Sequence, residues 1–540
     1  MKEGAINLEI FISTIILLVA AALAISLQNQ FFKTVSVNYI SLILGLILAI
    51  IPITDQYVEH FNSEVFMIMI VAPLLFFEGQ QTSLHNVLRS WKAIVDLTVI
   101  MITLATVIAG FSLKFLLAFS LPLSFILAAI STPTDATAMA SVTHGLKLPK
   151  RVAYFLKNES LFNDASGIIL LNMATSWYIS KNLNLGNTLS SFLISALGGI
   201  IFGFISGTIT VFIRQKIIRV NFNYTSNGNV AIQLFYLLTP IVFYFLAEEL
   251  KVSGIIAVVV MGLIYNAEAQ RSQLINAKII YDSKIITNWL TDILNGIVFI
   301  ILGIIIVRTV KEDIPNIQTL EALAAGVILY LVNVLVRYVY TAYLGKKRVH
   351  INRKEAWIFA FGGVHGAVTF ALAYTLAEAS INPADFHLIL VSETVLILLS
   401  MIVPTILFKF MLTPAKADRD QETEIKRIRS EMVAYALKQL DQIYLPKRLR
   451  KQLNFDLHAQ INETSMRDFL REMKYTVKQR NLSPDELEFR DEVYRYAFRQ
   501  ERNYLGQIAQ QENEYRAVFR KLYREILTAE ILFLNADNRD

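Results

Sequence analysis

The sequence predicts an all-α polytopic membrane protein of about thirteen transmembrane helices with a helical soluble tail, and three observations carry that prediction. Of the 540 residues, 54% are hydrophobic and only 17% charged, against about 25% charged in ordinary soluble chains. Apolar runs of about 17–25 residues, the length that spans a bilayer, recur through residues 1–413. From residue 414 to 540 the composition changes to dense charge mixed with hydrophobes at helical spacing. These two stretches are expected to be a membrane domain and a soluble tail.

The apolar runs lie near 6–27, 37–54, 63–78, 93–118, 121–146, 154–179, 188–213, 230–250, 252–267, 285–308, 320–344, 355–379 and 386–412. The first is long enough to span and has no basic segment before it, so it reads as a helix rather than a cleaved signal. The eighth and ninth are separated only by Glu248-Glu249-Leu250-Lys251, which leaves open whether they are two spans. Orientation follows from the connections. Arg89 and Lys92, then Lys147, Lys150 and Arg151, then Arg214, Lys216 and Arg219, then Lys346, Lys347, Arg348, Arg353 and Lys354 fall in alternate connections. Asp55, Glu59, Glu248, Glu249, Glu312, Asp313, Glu378 and Asp385 fall in the others. Cytoplasmic loops collect basic residues. The N-terminus is therefore expected outside a cell membrane and the tail in the cytoplasm. The same rule accounts for the net charge of +6 without a nucleic-acid partner. Cysteine is absent, which excludes disulfides and thiolate metal sites.

Two runs are interrupted by residues that helices in lipid rarely tolerate. The fifth contains Ser131-Thr132-Pro133-Thr134-Asp135. Proline removes a backbone donor and displaces the preceding carbonyl, so the helix should break there. Broken backbone at membrane depth survives only where it is buried in protein or lines a cavity. The twelfth run is interrupted by Gly362-Gly363-Val364-His365-Gly366. Paired interruptions in two halves of a chain point to the binding site of an inverted-repeat transporter. The repeat rests on hydropathy alone.

The sixth run opens Asn158-Glu159-Ser160-Leu161-Phe162-Asn163-Asp164. Helical spacing puts Glu159 and Asn163 on one face and Ser160 and Asp164 on the next. Charge inside a bilayer needs a partner or a watery cavity, which marks these acids as a functional-site candidate. Arg337, in the eleventh run, cannot shed its proton and needs a carboxylate; Glu159 is the expected partner. Glu78 ends the third run and is either interfacial or part of an entrance. Lys114, Asp96, Asp292 and Glu393 are expected to snorkel or pair locally. His365 reads as a hydrogen-bonded packing residue, with a proton-active role as the alternative.

The combination of Ser131-Thr132-Pro133-Thr134-Asp135, Glu159-Ser160-Leu161-Phe162-Asn163-Asp164 and Gly362-Gly363-Val364-His365-Gly366-Ala367-Val368 resembles the NhaP-like branch of the monovalent cation:proton antiporters. Phe76-Phe77-Glu78-Gly79 and Arg337 fit the same pattern, over roughly residues 1–413, and the tail takes no part in it. The resemblance implies about thirteen spans, two crossed discontinuous helices, and a homodimer. It implies that Asp164 takes cation and proton in turn and that Thr134, Asp135 and Ser160 contact the cation. It assigns Glu78 a water-mediated role and makes the Glu159–Arg337 pair structural. One departure stands out: relatives commonly carry arginine in a Gly-x-Arg-Gly pattern where this chain has His365. That makes His365 a candidate modulatory residue for pH response and ion preference.

Elementary chemistry reaches the same exchange. One carboxylate that binds either a proton or a small hard cation makes the two compete at a single site. Hard cations prefer oxygen ligands, and Thr134, Asp135, Ser160 and Asp164 offer only oxygens. Asn163 occupies the place where a second aspartate would load a second proton. The expectation is therefore electroneutral exchange of one proton per cation, sodium first and lithium or potassium as alternatives, in pH and cation homeostasis. No cofactor is expected. The expected partners are the two ions, membrane lipid and a second copy of the chain. A channel lacks its selectivity loop here, and an intramembrane hydrolase lacks a paired nucleophile or a His-Glu-x-x-His ligand set. A cation-coupled symporter of a small organic solute remains the nearest alternative. It would show a larger, aromatic-lined cavity. In the tail, Ser483-Pro484-Asp485-Glu486 predicts a helix start, followed by one long amphipathic pattern to about Leu534. The tail is expected to be regulatory or dimer-forming, with its ligand left open.

Overall fold

A computed structural model describes residues 2–32, 34–51, 62–182, 185–221, 227–272, 277–311, 317–379, 381–414, 418–461, 484–511 and 516–535. Asp55, Glu59, Glu312, Asp313 and Ser483 lie outside the described residues. The chain divides into two compact units, 1–414 and 415–540.

In the first unit the main helices are α1 Lys2–Gln30, α2 Val37–Ile50, α3 Ser63–Gln80, α4 Trp91–Leu117, α5 Leu121–Ile130, α6 Ala136–Val142 and α7 Lys150–Ser180. They continue as α8 Leu185–Asn221, α9 Asn227–Glu249, α10 Gly254–Ser272, α11 Ala277–Lys311, α12 Ile317–Val339, α13 Arg353–Phe361, α14 Ala367–Tyr374 and α15 Pro383–Met411. Among the described residues, eight helices are long and apolar enough to cross a membrane. Large apolar side chains such as Phe115, Ile194, Phe204, Leu331 and Phe410 point outward. A helix apolar on all sides belongs in lipid, so this is a multi-pass membrane unit. Its only pairing of extended chain in the described residues joins Leu146–Lys147 to Thr413–Pro414.

The eighth and ninth apolar runs form separate helices, α9 and α10, with Lys251 in the left-handed region at φ 59° in the turn between them. The fifth run breaks where Pro133 falls. α5 stops at Ile130, and α6 restarts at Ala136 with Asp135 as its N-cap. The twelfth breaks at its glycines, between α13 and α14. Three short π-helical stretches, Met67–Val71, Asp96–Met101 and Tyr340–Leu344, were not expected. Each sits in an apolar run whose hydropathy is blind to a single inserted residue.

The second unit comprises α16 Asp418–Leu440, α17 Lys447–Ala459, α18 Pro484–Gln511 and α19 Arg516–Asn535. Its core gathers Ile428, Met432, Leu453, Val493, Leu505, Phe519 and Ile526. The long amphipathic pattern from Pro484 to about Leu534 is carried, among the described residues, by α18 and α19.

Candidate functional site

The polar stretch of α7 lies in the middle of the membrane unit. Asn158, Glu159, Ser160, Asn163 and Asp164 are all buried there, the last at 3% exposure. Against it sits the α5–α6 break. A Cβ on Gly167 would stand 2.2 Å from Pro133 Cγ, so only glycine lets α7 approach the break this closely.

Contacts across that junction set the oxygens. Asn163 Nδ2 donates to Thr134 Oγ1 at 2.8 Å, and Thr134 Oγ1 and Ser160 Oγ lie 3.2 Å apart. One oxygen of Asp135, Oδ1, caps α6 by accepting from Thr137 N and Oγ1, both at 2.7 Å, and from Ala138 N at 3.1 Å. The second break reaches the first through the backbone: Asp135 N donates to Val364 O at 2.8 Å. Gly366 lies so close that a Cβ there would sit 2.0 Å from Asp135 Oδ2.

A cavity of about 40 Å³ opens at this junction, lined by Glu78, Thr134, Asp135, Ser160, Asp164 and apolar residues including Leu75, Val298 and Val368. With Thr137 also in the lining, three carboxyl groups and three hydroxyls share one space large enough for a single ion with little water. Asn163 touches it only through Thr134. Glu159 faces elsewhere: Arg337 Nη1 donates to Glu159 Oε1 and Nη2 to Oε2, the latter at 2.8 Å. The guanidinium also lies 4.7 Å from the Phe359 ring centre and donates to Phe359 O at 3.3 Å. His365 is 2% exposed, with its ring Nδ1 2.7 Å from Pro133 O.

Several charged residues sit differently from the expectation. Asp96 does not pair locally; it is buried and bonded to Arg348, far along the chain. Glu393 neither snorkels nor pairs: it is 0% exposed and neither carboxylate oxygen has a hydrogen-bond partner. Arg214 is no loop residue, because α8 runs past it and it forms a buried pair with Glu268 of α10. Sequence reasoning also passed over Asn333, whose Nδ2 donates to Ser131 O at 2.8 Å at the foot of α5. Its spacing of four from Arg337 on α12 was the available signal.

Residues 14–413 match the family described as "Sodium/hydrogen exchanger, transmembrane". The chain belongs to the sodium/hydrogen exchanger family, a family of transporters rather than catalysts. Among its relatives is a protein of Bacillus pumilus called "Sodium, potassium, lithium and rubidium/H(+) antiporter", 29% identical over 80% of this chain and 66% of the relative. Its namesake in Bacillus subtilis is 27% identical over 75% of this chain and 62% of the relative. The chain thus spans just under two thirds of the length of these two relatives. The "Na(+)/H(+) antiporter NhaH" of Halobacillus dabanensis is 27% identical over 70% of this chain and 90% of the relative. In fold the chain is similar to the sodium proton antiporter MjNhaP1 of Methanocaldococcus jannaschii, with a TM-score of 0.56 at 21% identity over 75% of this chain and 98% of that one.

Proposed function

We propose that this protein is a secondary antiporter exchanging a monovalent cation, sodium first, for a proton across the cell membrane. The observation that carries the reading is the small cavity where Asp164, Asp135 and Glu78 meet the hydroxyls of Thr134 and Ser160 beside two helix breaks. Asp164 releases its proton as a cation arrives among oxygen ligands, and takes a proton back as the cation leaves. Thr134, Ser160 and Asp135 share the cation, Glu78 acts through water, and the Glu159–Arg337 pair holds α7 to α12. Asn163, bonded to Thr134, carries no proton. The exchange is then one for one and electroneutral. The relatives' names support sodium, with potassium and lithium as further candidates.

The same reading gives the chain thirteen crossings, counting α5–α6 and α13–α14 as one broken crossing each. The set α4, α5–α6, α7 is matched in kind by α12, α13–α14, α15, which supports an inverted repeat with the two broken helices crossing at the site. Alternation of basic and acidic connections supports a tail in the cytoplasm and an N-terminus outside. A homodimer in lipid, a membrane domain that ends near residue 413 and a regulatory tail complete the proposal.

Cation-driven collapse of a proton gradient in inside-out vesicles tests it, with each chloride salt added in turn and Asp164→Asn as control. Sodium should dissipate the gradient, equally with and without an imposed voltage, and the variant should not. Steep voltage dependence would contradict the one-to-one stoichiometry. Full activity in the variant would overturn the site. The symporter alternative fits less well. The cavity where the carboxylates meet, about 40 Å³, falls far below the roughly 300–1,000 Å³ of organic-ligand pockets, and the larger cavity of about 480 Å³ beside Tyr236 and Tyr265 has no carboxylate in its lining to couple a solute to the cation.

A further inference from the structure

A helix that stops inside a membrane exposes carbonyls that neither water nor a following turn satisfies. At the end of α5 these carbonyls are taken one after another. Ser131 N donates to Leu127 O at 3.1 Å, Ser131 Oγ to Ala128 O at 2.9 Å, and Thr132 Oγ1 to Ala129 O at 3.0 Å. Those donors are local. The two carbonyls nearest the site are held from elsewhere in the fold: Ser131 O by Asn333 Nδ2 of α12 at 2.8 Å, and Pro133 O by the His365 ring at 2.7 Å. A carbonyl cannot donate, so Nδ1 of His365 carries the hydrogen. Both side chains are buried, at 5% and 2% exposure. His365 is itself anchored: its backbone N donates to Ser400 Oγ at 3.0 Å, and that hydroxyl donates to Ile397 O at 2.9 Å on α15.

We infer that Asn333 and His365 are positioning residues for the cation site, two donors that brace the α5–α6 break and so aim Thr134 and Asp135. The inference rests on the antiporter reading. Neither residue lines the cavity, so neither touches the ion. The link is covalent: the carbonyl of Pro133 belongs to the peptide whose nitrogen is that of Thr134. Rotation of that peptide moves the Thr134 hydroxyl away from Ser160 and Asn163, and carries Asp135 with it. Asn333 acts two peptides earlier, through Ser131 O at 2.8 Å and at 3.2 Å through the Ser131 hydroxyl. Where the resemblance implies a fixed guanidinium at position 365, this chain holds the break with one imidazole hydrogen bond. The brace therefore depends on where that donor lies.

That dependence makes the inference testable, because an asparagine amide places its nitrogen close to where imidazole Nδ1 lies, whereas glutamine places it one bond further out. The apparent sodium KM and the maximal rate are measured in inside-out vesicles for His365→Ala, His365→Asn, His365→Gln and Asn333→Ala. Elution of the purified proteins reports folding. His365→Ala and Asn333→Ala should each raise KM about tenfold, the scale of one lost buried hydrogen bond, with maximal rates within about threefold of wild type. His365→Asn should restore KM to within about threefold of wild type, and His365→Gln should not. If the alanine variants fail to assemble, the asparagine–glutamine comparison still decides. A wild-type KM in His365→Ala, or equal behaviour of the asparagine and glutamine variants, overturns the brace. Failure of the wild type to respond to any cation would instead overturn the antiporter reading.

Discussion

Asp164 and Glu159 stand five residues apart on one helix and are used differently. Asp164 lines the cavity; Glu159 is locked to Arg337 by two hydrogen bonds, with both side chains buried. Removing one member of such a pair strands the other charge in the membrane unit, at a cost on the order of 3–5 kcal/mol. Arg337→Gln or Glu159→Gln alone should therefore lower the thermal unfolding temperature of the purified protein sharply. The double variant should recover part of the loss, because no unpaired charge remains. A single variant that melts like wild type would show that the pair is not structural. Sequence reasoning reached these residues because charge in an apolar run is conspicuous. It passed over Asn333, which is uncharged and whose role depends on which helix lies beside the break, and Glu393, whose lack of any partner is a property of the packing around it.

At the scale of elements, the two breaks were legible because proline and glycine act locally. Pro133 ends α5, and Gly362-Gly363 end α13, whatever surrounds them. The π-helical turns were not, because they depend on how neighbouring helices fit. In the tail, α18 buries Glu501 at 0% exposure; Gln460 Nε2 donates to its Oε1 at 3.1 Å and Oε2 has no partner. Burial pushes its carboxyl up to about 7 from an ordinary 4.5, against the opposing pull of the Gln460 hydrogen bond and the Arg502 charge. The other charges of that core are tied up: Arg502 with Glu530, Asp456 with Tyr494, Glu431 with Tyr504 and Arg429 with Glu525. A folded-state value above the unfolded one means stability fully present below about 4.5 and lost as pH rises through about 7. The tail of the full-length protein should therefore resist proteolysis better at pH 5.5 than at pH 8, the interval spanning about 7. Glu501→Gln should flatten that difference. An unchanged pH dependence in the variant would place its origin elsewhere.

For the whole molecule, the claim is that a membrane unit built of paired broken helices isolates one exchangeable carboxylate, with a separately packed tail appended. If the tail regulates exchange, truncation after residue 414 should leave cation-driven exchange intact while moving its pH or ion dependence. An unchanged profile would argue that the tail serves another purpose. The class of the protein and the location of its candidate site follow from a few polar residues set in an apolar chain. The arrangement of oxygens within the cavity needed the fold, because Thr134, Ser160 and Asp164 meet only when the break packs on α7. The central claim concerns one atom group, and it can be measured without a membrane. Adding sodium to the purified protein in weakly buffered solution should release close to one proton per sodium bound, and Asp164→Asn should release none. Equal proton release by the variant would contradict the account.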